Sequence, residues 1–215
     1  MTNEREITGR AGSAALLASI SVIPFVGSTL SQFIGSEIAE ARFKKIEQFI
    51  ELYGAKMDAI REDAFDRDFA MSPEYAAYVA RLIQMASETH RNAKIDLLAA
   101  IAAGAARADT SNILRDRFLV AVEALTPAHV QVLNHAATQN RWFTDGRGTR
   151  DPSLGVDEIW IDDAIPGIGR EDAEALLADL SADGLIHEDT TYEGARQKWS
   201  VTALGLKFLA MLAEH

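Results

Sequence analysis

Apolar residues recur at helical spacing over most of this chain. The strongest repeat lies between Glu37 and about Ile60, where apolar positions step by three and four residues. This spacing places the side chains on one face of a helix and is typical of a helix-packing seam. We therefore expect a long amphipathic helix that buries this face in the protein's own core or against a second copy of the chain. The seam residues are Phe43, Ile46, Ile50, Tyr53, Met57 and Ile60.

Three further helices are expected before residue 126. Ser72 followed by Pro73 is typical of a helix start, because serine caps the first turn and proline has a suitable backbone angle there. An alanine-rich stretch from Ala93 to about Ala108 predicts a helix that packs closely against its neighbours. A last helix is expected from about Ser111 to Leu125, with its apolar residues inward. These inward residues are Ile113, Leu114, Phe118 and Val122.

The stretch from Ala11 to Ser36 contains no charged residue and is long enough to span a bilayer, which needs about 20 apolar residues. Several Ser and Gly residues weaken that interpretation, and Pro24 and Gly27 predict a break between two short helices. We favour a helical hairpin buried in the core or in a homo-oligomer interface, with membrane insertion as the alternative. The candidate packing or membrane residues are Leu16, Leu17, Ile20, Ile23, Pro24, Phe25, Gly27, Leu30, Phe33 and Ile34.

From Thr126 onward the pattern changes from helices alone to helices combined with a β-hairpin. Cap residues, a glycine stop and a change of hydrophobic period mark the boundaries. The expected elements are a helix after Thr126-Pro127, a β-prone run at Ile159–Ile161, a helix at Arg170–Asp183 ended by Gly184, strands at Leu185–His187 and Gln197–Val201, and a final helix capped by Thr202.

This order of elements closes with the pattern Trp-x-Val-Thr-x-x-Gly-x-x-Phe from Trp199 to Phe208. It resembles the close of the winged-helix domains found in bacterial transcription regulators. The expected fold is therefore mainly α. A helical bundle over residues 37–125 follows the uncharged apolar segment at 1–36, and a winged-helix (α+β) domain with a small β-hairpin wing occupies residues 126–215.

A second resemblance concerns the helical part. The run from Lys94 to Gly104, the stretch from Phe118 to Leu125 and the segment Leu125-Thr-Pro-Ala-His-Val-Gln-Val-Leu133 resemble part of the bacterial abortive-infection alpha family. Members of that family carry a comparable LFANLLAxA helix and a later LSPxxAxIL segment. The match spans about residues 72–133 and departs at Asp96 and at residues 101–104. The resemblance implies a role in phage defence and supplies no catalytic residue.

The charge balance bears on whether the expected winged helix binds DNA. The formal net charge is −11, and residues 126–215 contain 15 Asp and Glu against 7 Lys and Arg. The helix that would enter the major groove begins Arg170-Glu-Asp-Ala-Glu174, whereas DNA affinity rests on cations that meet phosphates. We therefore expect a domain that binds protein or dimerises, and we do not expect nucleic acid as a partner.

No catalytic or metal-binding motif stands out. The chain contains no cysteine, which removes disulfides and Cys-ligated metals and fits a reducing cytosol. The histidines lack metal-ligand spacing, and neither a nucleophile elbow nor a phosphate-binding loop occurs. We expect a non-enzymatic, self-associating cytoplasmic protein with protein partners and without a cofactor or metal. Two alternatives stay open: a membrane-inserting effector that uses residues 11–36, and a winged-helix transcription regulator.

Overall fold

The computed structural model describes residues 37–144, 158–188 and 198–213. Over these residues the protein is mainly helical with a two-stranded antiparallel sheet, which confirms the expected fold class at that level. The apolar segment at 11–36, with its candidate residues from Leu16 to Ile34, lies outside the described residues. The elements are α1 (Glu37–Asp58), a 3-10 helix (Glu62–Ala64), α2 (Arg67–Ala70), α3 (Pro73–Glu88), α4 (Asn92–Ala105), α5 (Asn112–Ala124), α6 (Pro127–Thr144), α7 (Glu158–Ala164), α8 (Arg170–Ala182), β1 (Ile186–Glu188), β2 (Trp199–Val201) and α9 (Ala203–Leu212).

The described residues form two compact units. One unit ends at Leu119 and the other runs from Val120 to Ala213, so α5 contributes residues to both. Among the helices of the described ranges, none is long and apolar enough to cross a membrane.

Helix α4 is the centre of the first unit. It packs against α1 and α3, and those two helices also pack against each other. Every residue from 97 to 106 is buried, around the whole circumference of the helix. A helix that is apolar on all sides belongs in a core, and its alanines allow close approach of the neighbouring helices. The predicted close-packing helix is thereby confirmed.

The connection between α1 and α3 is tied to the end of α4. The backbone N–H of Asp66 donates to the carbonyl oxygen of Ala106 at 2.8 Å, and the N–H of Ala108 donates to the carbonyl oxygen of Ala64 at 2.9 Å. These two bonds make a short antiparallel bridge outside the sheet. The connection is therefore fixed by backbone pairing although it contains little regular structure.

In the second unit, α8 packs against α6, α7 and β1, whereas α9 packs against α6 and β2. The strands pair antiparallel, with Ile186 opposite Val201 and Glu188 opposite Trp199. Ile186 and Val201 are buried, so this residue pair contributes to the core of the unit. The predicted hairpin between two helices is confirmed.

Small residues join α9 to the turn after α8. Gly184 has a φ of +71°, the left-handed conformation that glycine adopts without strain, and ends α8 as expected. Thr202 caps α9 as expected: its Oγ1 accepts from the N–H of Gly205 at 3.0 Å and donates to the carbonyl oxygen of Gly184 at 2.8 Å. A Cβ atom at Gly205 would overlap the carbonyl oxygen of Leu185. The threonine and glycine of the 199–208 pattern thus have identifiable packing roles.

The β-prone run Ile159–Ile161 is helical, so the expectation of a strand there is wrong. These residues belong to α7, which packs against α8, and Ile161 is fully buried. A run of three apolar residues fits a short strand and a short helix equally well. Packing against α8, which the local sequence does not reveal, accounts for the helix.

The buried face of helix α5 is shifted around the helix from the expected one. Phe118 and Val122 are buried as predicted, but Ile113 is 74% exposed. The buried face includes Arg115, which precedes Phe118 by three residues and Val122 by seven. Ile113 lies about 200° around the helix from Arg115, because each residue turns the helix by about 100°. The prediction failed because it treated an arginine as a surface residue.

Candidate interaction surfaces and buried polar clusters

The predicted seam of α1 is rotated relative to the face that this helix buries. Phe49 is fully buried and Ile46 is 7% exposed, whereas Phe43 is 47% exposed. The helix ends at Asp58, so Ile60 follows it instead of extending the seam. The remaining seam residues are half-buried: Ile50, Tyr53, Met57 and Ile60.

Three seam residues form a line beside the buried face of α1. Phe43, Ile50 and Met57 follow one another at seven-residue intervals. Seven residues turn an α-helix through nearly two full turns, so each lies within about 20° of the preceding one. We call these three residues the α1 edge. It is an apolar line that is half-buried at Ile50 and Met57 and exposed at Phe43.

Tyr53 connects α1 to the centre of the first unit. Its hydroxyl oxygen lies 2.9 Å from that of Tyr75, and the Tyr75 hydroxyl donates to the carbonyl oxygen of Ala102 at 2.9 Å. Because the carbonyl can only accept, Tyr53 donates to Tyr75 in this chain of bonds. Burial raises the pKa of both tyrosines. The pair therefore stays neutral and serves as a structural link.

Arg115 is a buried cation, with only 5% of its side chain exposed. Its Nε donates to the carbonyl oxygen of Ala105 at 2.8 Å, and its Nη2 donates to that of Arg107 at 3.2 Å. Its Nη1 donates to Oδ1 of Asn112 at 2.7 Å. The carbonyls at and just beyond the end of α4 have no partner within that helix. The guanidinium therefore satisfies the carboxyl end of α4.

Asp66 supplies the opposite charge. Its Oδ2 lies 2.9 Å from Nη2 of Arg115, and its other carboxylate oxygen accepts from the N–H of Phe69 at 3.0 Å, which caps α2. The Phe69 ring lies against the guanidinium, with its centroid 3.4 Å from Cζ, so a cation–π contact adds to the pair. The hydrogen bonds from Phe69 N–H and from Arg115 lower the pKa of Asp66. One carboxylate thus holds α2 and pairs with Arg115.

Sequence reasoning missed this cluster. One signal was present, since Arg115 shares a helical face with the apolar Phe118 and Val122, and a charge within an apolar stripe indicates a buried partner. The partner could not be identified in the same way, because Asp66 lies 49 residues earlier. The hydrogen bonds and the ion pair of Arg115 hold neighbouring segments of the protein together, which indicates a structural role.

His129 links α6 to α8 and is 5% exposed. Its Nδ1 accepts from the N–H of Thr126 at 3.0 Å and lies 2.8 Å from Thr126 Oγ1, while its Nε2 lies 3.2 Å from Oδ2 of Asp179. Because Nδ1 accepts, Nε2 carries the proton and donates to Asp179. A hydroxyl, an imidazole and a carboxylate in a row also occur in some hydrolases. In this protein the Thr126 N–H already engages Nδ1, as in a capping box, which favours a helix cap.

The outward face of α8 is acidic. Glu171, Asp172, Glu174 and Asp179 are exposed, and Nε of the exposed Arg170 lies 3.6 Å from a carboxylate oxygen of Glu174. A phosphate backbone would be repelled by this surface, since nucleic-acid affinity rests on cation–phosphate contacts. The exposed charges of α8 are therefore not complementary to a phosphate backbone.

One face of α5 combines exposed apolar and charged side chains. Ile113 is 74% and Val120 is 66% exposed, and the exposed Asp116 and Arg117 lie between them in sequence. We call these four residues the α5 face. In the rest of the described chain, the other exposed large apolar side chains are Phe43, Met71 and Leu206.

Tyr78 Oη and His135 Nε2 are buried without a hydrogen-bond partner in the described residues. Burial raises the pKa of Tyr78, and the nearby Asp116 carboxylate raises it further, so its phenol is neutral. Within the ranges that the structure describes, no group of three or more His, Cys, Asp or Glu is placed to hold a metal ion.

Comparison of the chain with protein-family models, with curated proteins and with solved structures finds no match.

Proposed function

We propose that this chain is a non-enzymatic bacterial protein-interaction protein that self-associates and acts in phage defence. The α1 edge carries the protein-interaction part of this proposal. It places apolar side chains at seven-residue spacing beside a buried face and leaves Phe43 47% exposed. Apolar residues at this spacing are a common means by which one helix packs against another.

The buried polar clusters support a binding protein over an enzyme. The contacts of Arg115 hold the end of α4 and the cap of α2, and those of His129 hold the start of α6 against α8. Groups engaged in this way are positioned for stability, whereas a catalytic group must reach a reacting atom.

We further propose that residues 126–213 form a winged-helix domain that binds protein. The order α6, α7, α8, then the β1–β2 hairpin, supports this fold assignment. In such a domain α8 would occupy the place of the recognition helix. Its acidic outward face favours a basic protein surface as partner over DNA, because complementary charge selects partners.

The role in defence rests on the resemblance of residues 72–133 to the abortive-infection alpha family. Expression of the chain in a bacterial host should lower the number of phage plaques relative to cells that lack it. An unchanged plaque count over a broad panel of phages would contradict this part of the proposal.

Light scattering during gel filtration tests the proposed self-association. The monomer mass is 23.4 kDa, and we expect the average mass of the full chain to rise above it as concentration increases. A mass that stays at the monomer value at every concentration would contradict the proposal, since apolar helix pairing follows mass action.

A membrane-inserting effector is the second candidate, favoured by the absence of charge from Ala11 to Ser36. Dye release from lipid vesicles tests it. A charge introduced by Ile23→Asp should abolish release, because a charged side chain at the bilayer centre is strongly unfavourable. Release that Ile23→Asp leaves unchanged would contradict insertion through this segment.

A further inference from the structure

We infer that the α5 face is the surface through which two copies of this chain pair, with their α5 helices side by side and parallel. The inference rests on the proposed self-association and assigns it to a surface. The face consists of Ile113, Asp116, Arg117 and Val120, and all four residues are exposed.

Helical geometry arranges these residues as an apolar line with one charge on each side. Ile113 and Val120 are seven residues apart, so they lie within about 20° of each other around α5. Asp116 and Arg117 lie halfway along the helix between them, on opposite sides of that line and each about 50° from it. The α5 face therefore has an acidic flank and a basic flank.

The two flanks distinguish parallel from antiparallel pairing. When a two-fold axis parallel to the helices relates the two copies, the acidic flank of each copy meets the basic flank of the other. Asp116 then lies beside Arg117 of the second copy, and this contact occurs twice. In an antiparallel pair each flank would meet its own equivalent, so two carboxylates and two guanidiniums would oppose each other. Opposite charges attract and directly opposed like charges repel, which favours the parallel arrangement.

The direction also fixes which apolar residues meet. In a parallel two-fold pair equivalent residues face each other, so Ile113 packs against Ile113 of the second copy and Val120 against Val120. In an antiparallel pair Ile113 would pack against Val120 instead.

The contact is short, so the pairing should be weak and reversible. Two apolar layers bury much less than the roughly 1,200–2,000 Å² of a standard stable interface. A dissociation constant of about 1 μM or higher is therefore expected, and the association should be visible in concentration-dependent sedimentation.

Exchanging the charges of Asp116 and Arg117 tests whether the two flanks pair as proposed. Either Asp116→Arg or Arg117→Asp alone creates two like-charge contacts and should weaken pairing of the full chain about tenfold in sedimentation velocity. The double variant Asp116→Arg/Arg117→Asp exchanges the flanks and should restore pairing. Met71→Asp is the matched control, because Met71 is 67% exposed and lies outside the α5 face. Circular dichroism should show the same helical content in every variant.

Cysteine cross-linking tests the direction. The chain has no cysteine, so Ile113→Cys and Val120→Cys each introduce a single thiol. Parallel pairing predicts that each variant forms a disulfide-linked dimer with itself, much faster than Met71→Cys does. Efficient cross-linking only in a mixture of the two variants would mean antiparallel pairing and would overturn the inference.

The failure of this inference differs from the failure of the proposed function. Suppose that the wild-type chain associates, that the α5 variants leave this association unchanged, and that Phe43→Asp abolishes it. The α5 pairing is then wrong, and self-association stands. If the wild-type chain stays monomeric up to the highest soluble concentration, both are wrong.

Discussion

The two units hold their connecting segments in place by different physical means. In the first unit, the ion pair between buried Arg115 and partly exposed Asp66 joins the cap of α2 to the end of α4. In the second, Thr202 and Gly205 hold α9 through hydrogen bonds and close approach of small residues. A buried ion pair fails when either charge is lost, whereas a tight junction fails when volume is added. The first unit should therefore be sensitive to charge and acid, and the second to side-chain size.

The largest effect is expected from Arg115→Met. This change removes the donor to Oδ2 of Asp66 and to the carbonyls at the end of α4. Removing one partner of a buried pair lowers the free energy of unfolding by about 3–5 kcal/mol. Urea denaturation followed by circular dichroism measures the change. Arg61→Met is the control, because it breaks an ion pair with Asp63 whose side chains are 78% and 68% exposed. The control should change stability by less than about 1 kcal/mol; equal losses would remove the distinction between the two pairs.

Gly205→Ala should have the next largest effect, on the second unit. The new Cβ would overlap the carbonyl oxygen of Leu185, and a backbone atom cannot move aside as a side chain can. Overpacking of this kind lowers the free energy of unfolding by about 1–3 kcal/mol. Gly54→Ala in α1 is the matched control, because a Cβ there meets nothing within 4 Å. It should stabilise the helix by about 0.5–1 kcal/mol. Gly205→Ala with wild-type stability would contradict the tight junction.

Acid should weaken the first unit through Asp66. The pKa of this carboxyl is lowered in the folded protein, first by the Phe69 N–H and then by Arg115. Its ionised form therefore contributes stability fully above the ordinary aspartate pKa of about 3.9, and this contribution is lost as pH falls through the lowered value. Asp66→Asn should lower the free energy of unfolding by about 1–2 kcal/mol at neutral pH, towards the low end for a charged hydrogen bond, because the side chain is partly exposed.

The same variant should approach wild-type stability as the pH falls through that lowered value, where the wild-type carboxyl is also neutral. Urea titrations at a series of pH values measure both proteins. A difference that is constant over the whole acid range would mean that the charge of Asp66 is not involved.

The smallest effect is expected from Asp179→Asn. The Asp179 side chain is 68% exposed, and an amide oxygen can still accept from Nε2 of His129. The loss should stay below about 1 kcal/mol, as for other exposed partners. His129→Ala is the comparison, since it also removes the acceptor for the Thr126 N–H and should lower stability by about 1–2 kcal/mol. Equal losses in the two variants would show that Asp179 matters as much as the helix cap.

The helix caps and the glycine turn were predicted from the sequence, whereas the contacts between distant residues were not. The caps at Ser72 and Thr202 and the turn at Gly184 were predicted because each depends on residues a few positions away. The Arg115–Asp66 pair joins residues 49 apart, so no local pattern indicates it.

The candidate surfaces show the same difference between local patterns and long-range packing. Spacing alone identified the α1 seam, but it placed the centre of the buried face away from Phe49, which is fully buried. The α5 face was missed because a buried arginine turned Ile113 outward. In both helices the choice of face depends on the neighbours against which the helix packs, and a periodic pattern does not contain that information.

The division into two units also determines which unit tryptophan fluorescence follows and which circular dichroism follows. Its three tryptophans, Trp142, Trp160 and Trp199, all fall within residues 120–213. Tryptophan emission should therefore follow the second unit alone, while circular dichroism follows the helices of both. Two unfolding curves recorded on one sample, without any label, would show whether the units melt together or one at a time.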